Sequence, residues 1–150
     1  SMENRVNYVL LLVNQRLYLI NQLRKQGLSA KAREVVFHSL VISRLLYALP
    51  AFVGFLSGAD IARFNSVFRK SVRWGIIDRM FDFDELSISS QDQLFKRFSS
   101  NINHCLHQLL PELRNTCYML RQRGHSFSLP VVSRTLFKKS FVVNYLYSHM

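Results

Sequence analysis

The stretch Gly27–Pro50, GLSAKAREVVFHSLVISRLLYALP, decides how the rest of the chain is read. Ser29 is a strong N-cap residue, because its hydroxyl accepts from a backbone N–H of the first turn. Gly27 suits the end of a preceding helix. Pro50 has no N–H with which to continue a helix and is read as the stop. Between Val35 and Leu49 the only polar residues are His38, Ser39, Ser43 and Arg44. A helix this apolar buries most of its surface, which predicts the central rod of a helical bundle. The apolar run falls short of about 18 residues and carries Arg44, so the expectation is a core helix with no chemistry of its own, not a membrane span.

Working outward, Val6, Leu10, Val13, Leu17 and Ile20 recur at alternating steps of four and three. That spacing predicts a first amphipathic helix from about Asn4 to Gln26, antiparallel to the rod across the turn at Gly27-Leu28. Beyond Pro50, Gly54 and Gly58 break the chain, and Ser57 or Gly58 opens a third helix to about Gly75. Its apolar face is Ile61, Phe64, Val67, Phe68 and Val72, leaving Arg63, Arg69, Lys70 and Arg73 largely off that face. Residues 1–77 thus read as a three-helix bundle.

The acidic segment 78–92 is read as a connector, with a short helix at 84–88. Ser90 with Gln93 makes a capping-box pattern for a fourth helix reaching about Leu109, its inner face Leu94, Phe98, Ile102, Cys105 or Leu106, and Leu109. A fifth helix is placed over Glu112–Arg123, and the final residues read as a helical, less regular basic tail within a 93–150 segment. The fold class is therefore all-α, a bundle of four to five helices.

The net charge is +11, and it is uneven along the chain. Residues 1–77 hold eleven Lys/Arg against three acids, residues 78–92 hold five acids against Arg79, and residues 93–150 hold eight Lys/Arg against Glu112. Two basic blocks around an acidic segment predict two cationic surfaces, and a basic chain of this size points to nucleic acid before an anionic membrane. Cys105 and Cys117 are the only cysteines, too few for a disulfide framework. Ser1-Met2, and in part Ser148-His149-Met150, read as vector-derived residues, so the chain is expected to be cut from a longer protein.

Catalytic motifs are not in evidence: there is no glycine-rich phosphate loop and no GxSxG elbow. Asp82, Asp84 and Glu85 carry Mg²⁺-type oxygens, but acids at this density are expected in the first turn of a helix. His104, Cys105, His107, Cys117 and His125 carry zinc-type atoms at spacings that match no familiar site, so no metal and no cofactor are expected. The histidines are expected to hydrogen-bond or to cap the fourth helix. Arg69, Lys70 and Arg73 cluster within one turn with no acid among them, which makes them the leading candidates for phosphate contacts, with Arg63 in support. In the tail, Arg121, Arg123, Arg134, Lys138 and Lys139 interleave with Phe127, Phe137 and Phe141, the pattern of single-strand binders, although Phe at helical spacing also builds cores.

Four stretches, in order, resemble the region after the polymerase core of LINE-type non-LTR retrotransposon reverse transcriptases. The first is GLSxxxxxxxFxSxVxSxLxYxxP at 27–50. The second is LSGADIARFNSVFRKSVRWGI, with Phe64, Val67, Arg69 and Lys70 in place, and with Phe68 and Ser71 where Gln and Ala are usual. The third is HCLHQLLP at 104–111. The fourth is RTLFKKSFV, through Phe137, Lys138, Ser140 and Phe141, with Leu136 where Arg is usual and Val143 where Pro is usual.

The resemblance implies a thumb followed by a C-terminal segment of an RNA-directed DNA polymerase polyprotein. The polymerase aspartates and the endonuclease would lie upstream, so this fragment is expected not to be an enzyme. Its implied partners are an RNA–DNA hybrid or duplex DNA, template RNA and the upstream polymerase domain. The implied setting is the nucleus and a cytoplasmic ribonucleoprotein. Arg63, Arg69, Lys70 and Arg73 form one expected nucleic-acid site and Arg134, Lys138 and Lys139 a second. The alternative is a protein-interaction module that docks on the polymerase core or forms a homodimer.

Overall fold

A computed structural model describes residues 2–114 and 124–150. Among them the protein is all-α, with an isolated bridge between Leu113 and Phe127 and no strand. The chain divides into two compact units, Ser1–Leu49 with Leu56–Ile88, and Pro50–Phe55 with Ser89–Met150.

In the first unit α1 spans Met2–Lys25 and buries Val6, Val9, Leu10, Val13, Leu17 and Ile20, the expected seam with Val9 added. Each such side chain withdrawn from water is worth about 1.5–3 kcal/mol. Gly27, at φ +95°, turns the chain. Ser29 then caps α2, Ala30–Phe37, by accepting from Ala32 N–H at 3.3 Å.

The rod that follows is not a uniform α-helix. His38–Ile42 form a π-helical turn, and α3 occupies Ser43–Leu46. Side-chain donors reach carbonyls in and beside this turn. Ser39 Oγ bonds Val35 O, Ser43 Oγ bonds Ser39 O, and the Arg16 guanidinium of α1 donates to Leu40 O. Only Phe37, Val41, Ile42 and Leu45 of α2 to α3 are buried, while Val35, Leu40 and Tyr47 are exposed. The rod therefore packs along one face, and the expected full burial does not occur.

Pro50 does not stop the helix either. The break comes earlier, at Ala48 with φ +56°, and Pro50 sits in the first turn of the next helix, α4, Leu49–Phe52. A residue without an N–H is well placed there, since the first N–H groups of a helix have no partner within it. With its flanks, Ala30–Phe55 is long and apolar enough to cross a membrane by length and composition, at mean hydropathy 1.6, so the shorter run understated it. In the fold this stretch is broken at Ala48 and contributes the buried side chains named above.

Helix α5, Gly58–Arg73, completes the first unit and buries Phe64, Val67, Phe68 and Ser71. The acidic segment is not a bare connector, because Phe81 and Phe83 alternate with its acids and go inward. Phe81 stacks on Phe37 at 6.0 Å, and Phe83 stacks on Phe64 at 4.6 Å. Asn65 of α5 anchors this segment from both ends of its amide, accepting from Phe83 N–H at 2.9 Å and donating to Asp82 at 3.1 Å.

Helix α6 then runs unbroken over Phe83–Ser100, with Asp84 and Glu85 in the first turn. Ser90 lies inside it and caps nothing. The helix ends at Ser100, well short of Leu109, and Ile102, Cys105 and Leu109 are exposed.

The second unit closes around Phe95, Phe98, Val142, Tyr145 and Leu146. These come from the end of α6 and from α8, Phe141–Ser148, which follows the single turn α7, Thr135–Lys138. The tail is thus helical, as expected. The fifth helix expected over 112–123 lies mostly outside the described residues.

Candidate nucleic-acid interface

The α5 cations are positioned by a capped helix start. Ser57 Oγ accepts from Asp60 N–H at 3.2 Å, and the Asp60 carboxylate accepts from Ser57 Oγ at 2.6 Å and Ser57 N–H at 3.2 Å. Those Ser57 donors, with Arg63 adding to them, hold the Asp60 carboxyl below the usual carboxylate range.

The four expected α5 cations separate into two pairs. Arg63 donates to Asn7 Oδ1 of α1 at 2.6 Å and lies 3.5 Å from Asp60. Lys70 donates to Asn14 Oδ1 at 3.0 Å and rests 4.5 Å from the centre of the Trp74 ring. Asn14 is oriented for this by its own amide, which donates to Leu10 O at 2.8 Å. Asn7 and Asn14 are seven residues apart, as are Arg63 and Lys70. The two contacts therefore set α1 and α5 parallel in one heptad register, with a polar rung at each repeat.

Arg69 and Arg73, in contrast, are exposed and hold no hydrogen bond or ion pair among the described residues. Arg63 is exposed, as expected, but engaged by Asn7 and Asp60, and the expectation of an unpaired cluster is corrected for Lys70. The signal that would have separated them is the seven-residue repeat of asparagine on the first helix.

The second expected site is partly assembled. Arg134 and Lys138 line one open cleft of about 340 Å³ together with Ser133, Thr135 and Tyr147. Lys138 sits 5.3 Å from the Tyr147 ring centre, and the Tyr147 hydroxyl is fixed by donating to Pro130 O at 2.9 Å. Two cations and two aliphatic hydroxyls with no carboxylate make a lining suited to a phosphate. Lys139 is exposed but does not line the cleft; its carbonyl instead packs against Gly54, where an added Cβ would overlap it.

Phe137 is exposed and lines, with Phe141, an apolar cavity of about 390 Å³ whose only polar lining residue among the described residues is Ser140. Phe127 and Phe141 pack against the core of the unit, as core phenylalanines do. Arg121, Arg123 and Cys117 lie outside the described residues.

The histidines serve the backbone. His107 Nδ1 donates to Phe98 O at 2.7 Å, taking a carbonyl in the last turn of α6, and His125 Nε2 donates to Leu146 O at 2.8 Å. His104 Nδ1 accepts from Leu106 N–H at 3.1 Å. These bonds engage one ring nitrogen each of His104, His107 and His125, and no group of three His, Cys, Asp or Glu converges among the described residues.

A further cation, not among the expected contacts, is Arg44 of α3. Its guanidinium carbon lies 5.8 Å from the ring centre of Tyr8 on α1 and 5.9 Å from that of Tyr47. No protein-family model, no curated protein and no solved structure matches this chain.

Proposed function

We propose that this chain is a non-catalytic nucleic-acid-binding fragment of a non-LTR retrotransposon reverse transcriptase, its thumb and C-terminal segment. In this reading α5 grips the phosphate backbone of the template–primer duplex, and the α7–α8 region assists in holding template RNA or target DNA. The upstream polymerase domain of the same polyprotein, an RNA-directed DNA polymerase, is its companion, in the nucleus and in a cytoplasmic ribonucleoprotein.

The observation that carries the reading is the pair Arg69 and Arg73, exposed one turn apart on a capped helix with no acid in contact among the described residues. Arg134 and Lys138 in their hydroxyl-lined cleft supply the second contact, with Lys139 beside it. Arg63 and Lys70 are assigned to the bundle, tied to Asn7 and Asn14.

The test is binding of a labelled RNA–DNA hybrid, duplex DNA and single-stranded RNA across a salt series. Arg69→Ala with Arg73→Ala is expected to lower the duplex salt slope by about 1.8, since each phosphate contact contributes about 0.9. An unchanged slope removes the assignment. A second reading, a protein-interaction module that docks on the polymerase core or dimerises, draws on the exposed Leu11, Leu19 and Leu23 of α1. Light scattering over a concentration series separates the two, because a dimer grows with concentration and a monomeric binder does not.

A further inference from the structure

The guanidinium of Arg44 is flanked by two tyrosine rings that point into solvent, Tyr8 at 54% and Tyr47 at 68% exposure. The rings therefore lie at the surface, with the half-buried Arg44 between them. Arginine carries five N–H donors in a fixed fork, and none of those of Arg44 meets an acceptor among the described residues. Its Nε is buried without a partner.

The backbone beside the patch is unusual as well. Tyr47 ends α3, and Ala48, the next residue, holds φ +56°, a region that residues with a Cβ seldom occupy. That reversal ends the helix at Tyr47 and leaves the ring uncovered. Strain of this kind is retained where it serves a geometry.

Two exposed rings supply faces for bases, and an arginine with unengaged donors supplies a fork for a phosphate. No carboxylate is paired with it. We infer that Tyr8, Arg44 and Tyr47 are a stacking platform for unpaired nucleotides, with the two rings receiving bases and Arg44 the intervening phosphate. The inference rests on the nucleic-acid reading above and adds to it a place where single-stranded rather than duplex nucleic acid is held.

The occupant is argued from charge. The patch belongs to a 1–77 segment with eleven Lys/Arg against three acids, so a polyanion is favoured there over a neutral protein surface.

The experiment measures binding of oligouridine and of a blunt RNA–DNA hybrid by the whole chain and its variants, each first checked for unchanged helical circular dichroism. Tyr8→Ala and Tyr47→Ala are each expected to weaken oligouridine about tenfold, within the range of one stacked base, and to leave the hybrid unchanged. Tyr47→Trp is expected to retain oligouridine binding. Arg44→Ala is expected to lower the single-strand salt slope by about 0.7. Folded Tyr8→Ala and Tyr47→Ala variants with parental oligouridine affinity overturn the inference, and so does a change confined to the monomer–dimer distribution in light scattering. The Arg69→Ala/Arg73→Ala variant is the control. If it loses hybrid affinity while the tyrosine variants lose nothing, the stacking platform alone falls. If the parent binds neither ligand at low salt, the nucleic-acid reading falls with it.

Discussion

The core of the first unit is a repeat, and that of the second is a stack. Along α1 the buried residues follow steps of four and three, and the polar rungs Asn7–Arg63 and Asn14–Lys70 recur every seven. In the second unit Tyr145 lies between Phe95, at 4.1 Å, and His149, at 4.0 Å, and its hydroxyl donates to Asp92 at 2.9 Å. A repeat distributes cohesion over a long interface, so loss of one member is felt as a cavity. A stack concentrates it in a few rings and one hydrogen bond, so it responds to the chemistry of a single group.

The largest test of that contrast is Phe83→Ala, which empties the contact with Phe64. It is expected to cost about 3–5 kcal/mol, read from denaturant unfolding. The companion variant Phe98→Ala empties the core of the second unit by a similar amount. Two resolved transitions, each moved by its own variant, would sharpen the division into units. One transition moved equally by both would break it.

Gly54→Ala comes next, at about 1–3 kcal/mol, because the new methyl meets the Lys139 carbonyl and the backbone there must shift. Ser57→Ala, which removes the capping box, is expected to cost about 1 kcal/mol. It also returns the Asp60 carboxyl toward its ordinary value, readable by NMR titration of that side chain. The Asp60 pKa is depressed in the fold, so its contribution is present above the ordinary value of 3.8 and fades as pH falls through the lowered one.

The test narrowest in reach is the titration of Tyr145, which burial first and then Asp92 push up to about 12 from 10.0. A raised pKa means that the protonated phenol stabilises the fold. The stability it lends is whole below pH 10.0 and is lost as pH rises to about 12. Near-ultraviolet tyrosinate absorbance is expected to include a late component from Tyr145, which Asp92→Ala advances.

These differences also explain what the sequence disclosed. The α1 seam, the cap at Ser29, the start of α5 at Ser57 and the helical tail were legible, because each rests on spacing or on a local side chain-to-backbone bond. The start of α6 at Phe83 is not legible, because the cap-like pattern at Ser90 competes with the inward pull of Phe81 and Phe83, which periodicity near a turn does not register. The role of Pro50 was reversed, since proline both ends one helix and begins the next, and the deciding residue was Ala48. At the candidate interface, clustering marked Arg69 and Arg73 correctly as exposed. It could not show that Arg63 and Lys70 meet asparagines more than fifty residues away. Arg44 gives no such signal, because it stands in an apolar run, where a lone charge reads as an interruption.

The π-helical turn has a consequence for how this chain tolerates changes of length. Phe37, Val41 and Leu45 are buried at strict intervals of four, whereas a regular α-helix would carry such a series around its axis by about 40° per step. The wide turn at His38–Ile42 takes up that drift, as a leap day does in a calendar. Excising one residue within it converts the turn to ordinary helix and is expected to keep the neighbours on either side facing inward. Excising one residue elsewhere in the rod swings everything beyond it by about 100°. In a library of single-residue deletions, soluble variants are therefore expected to gather at positions 38–42.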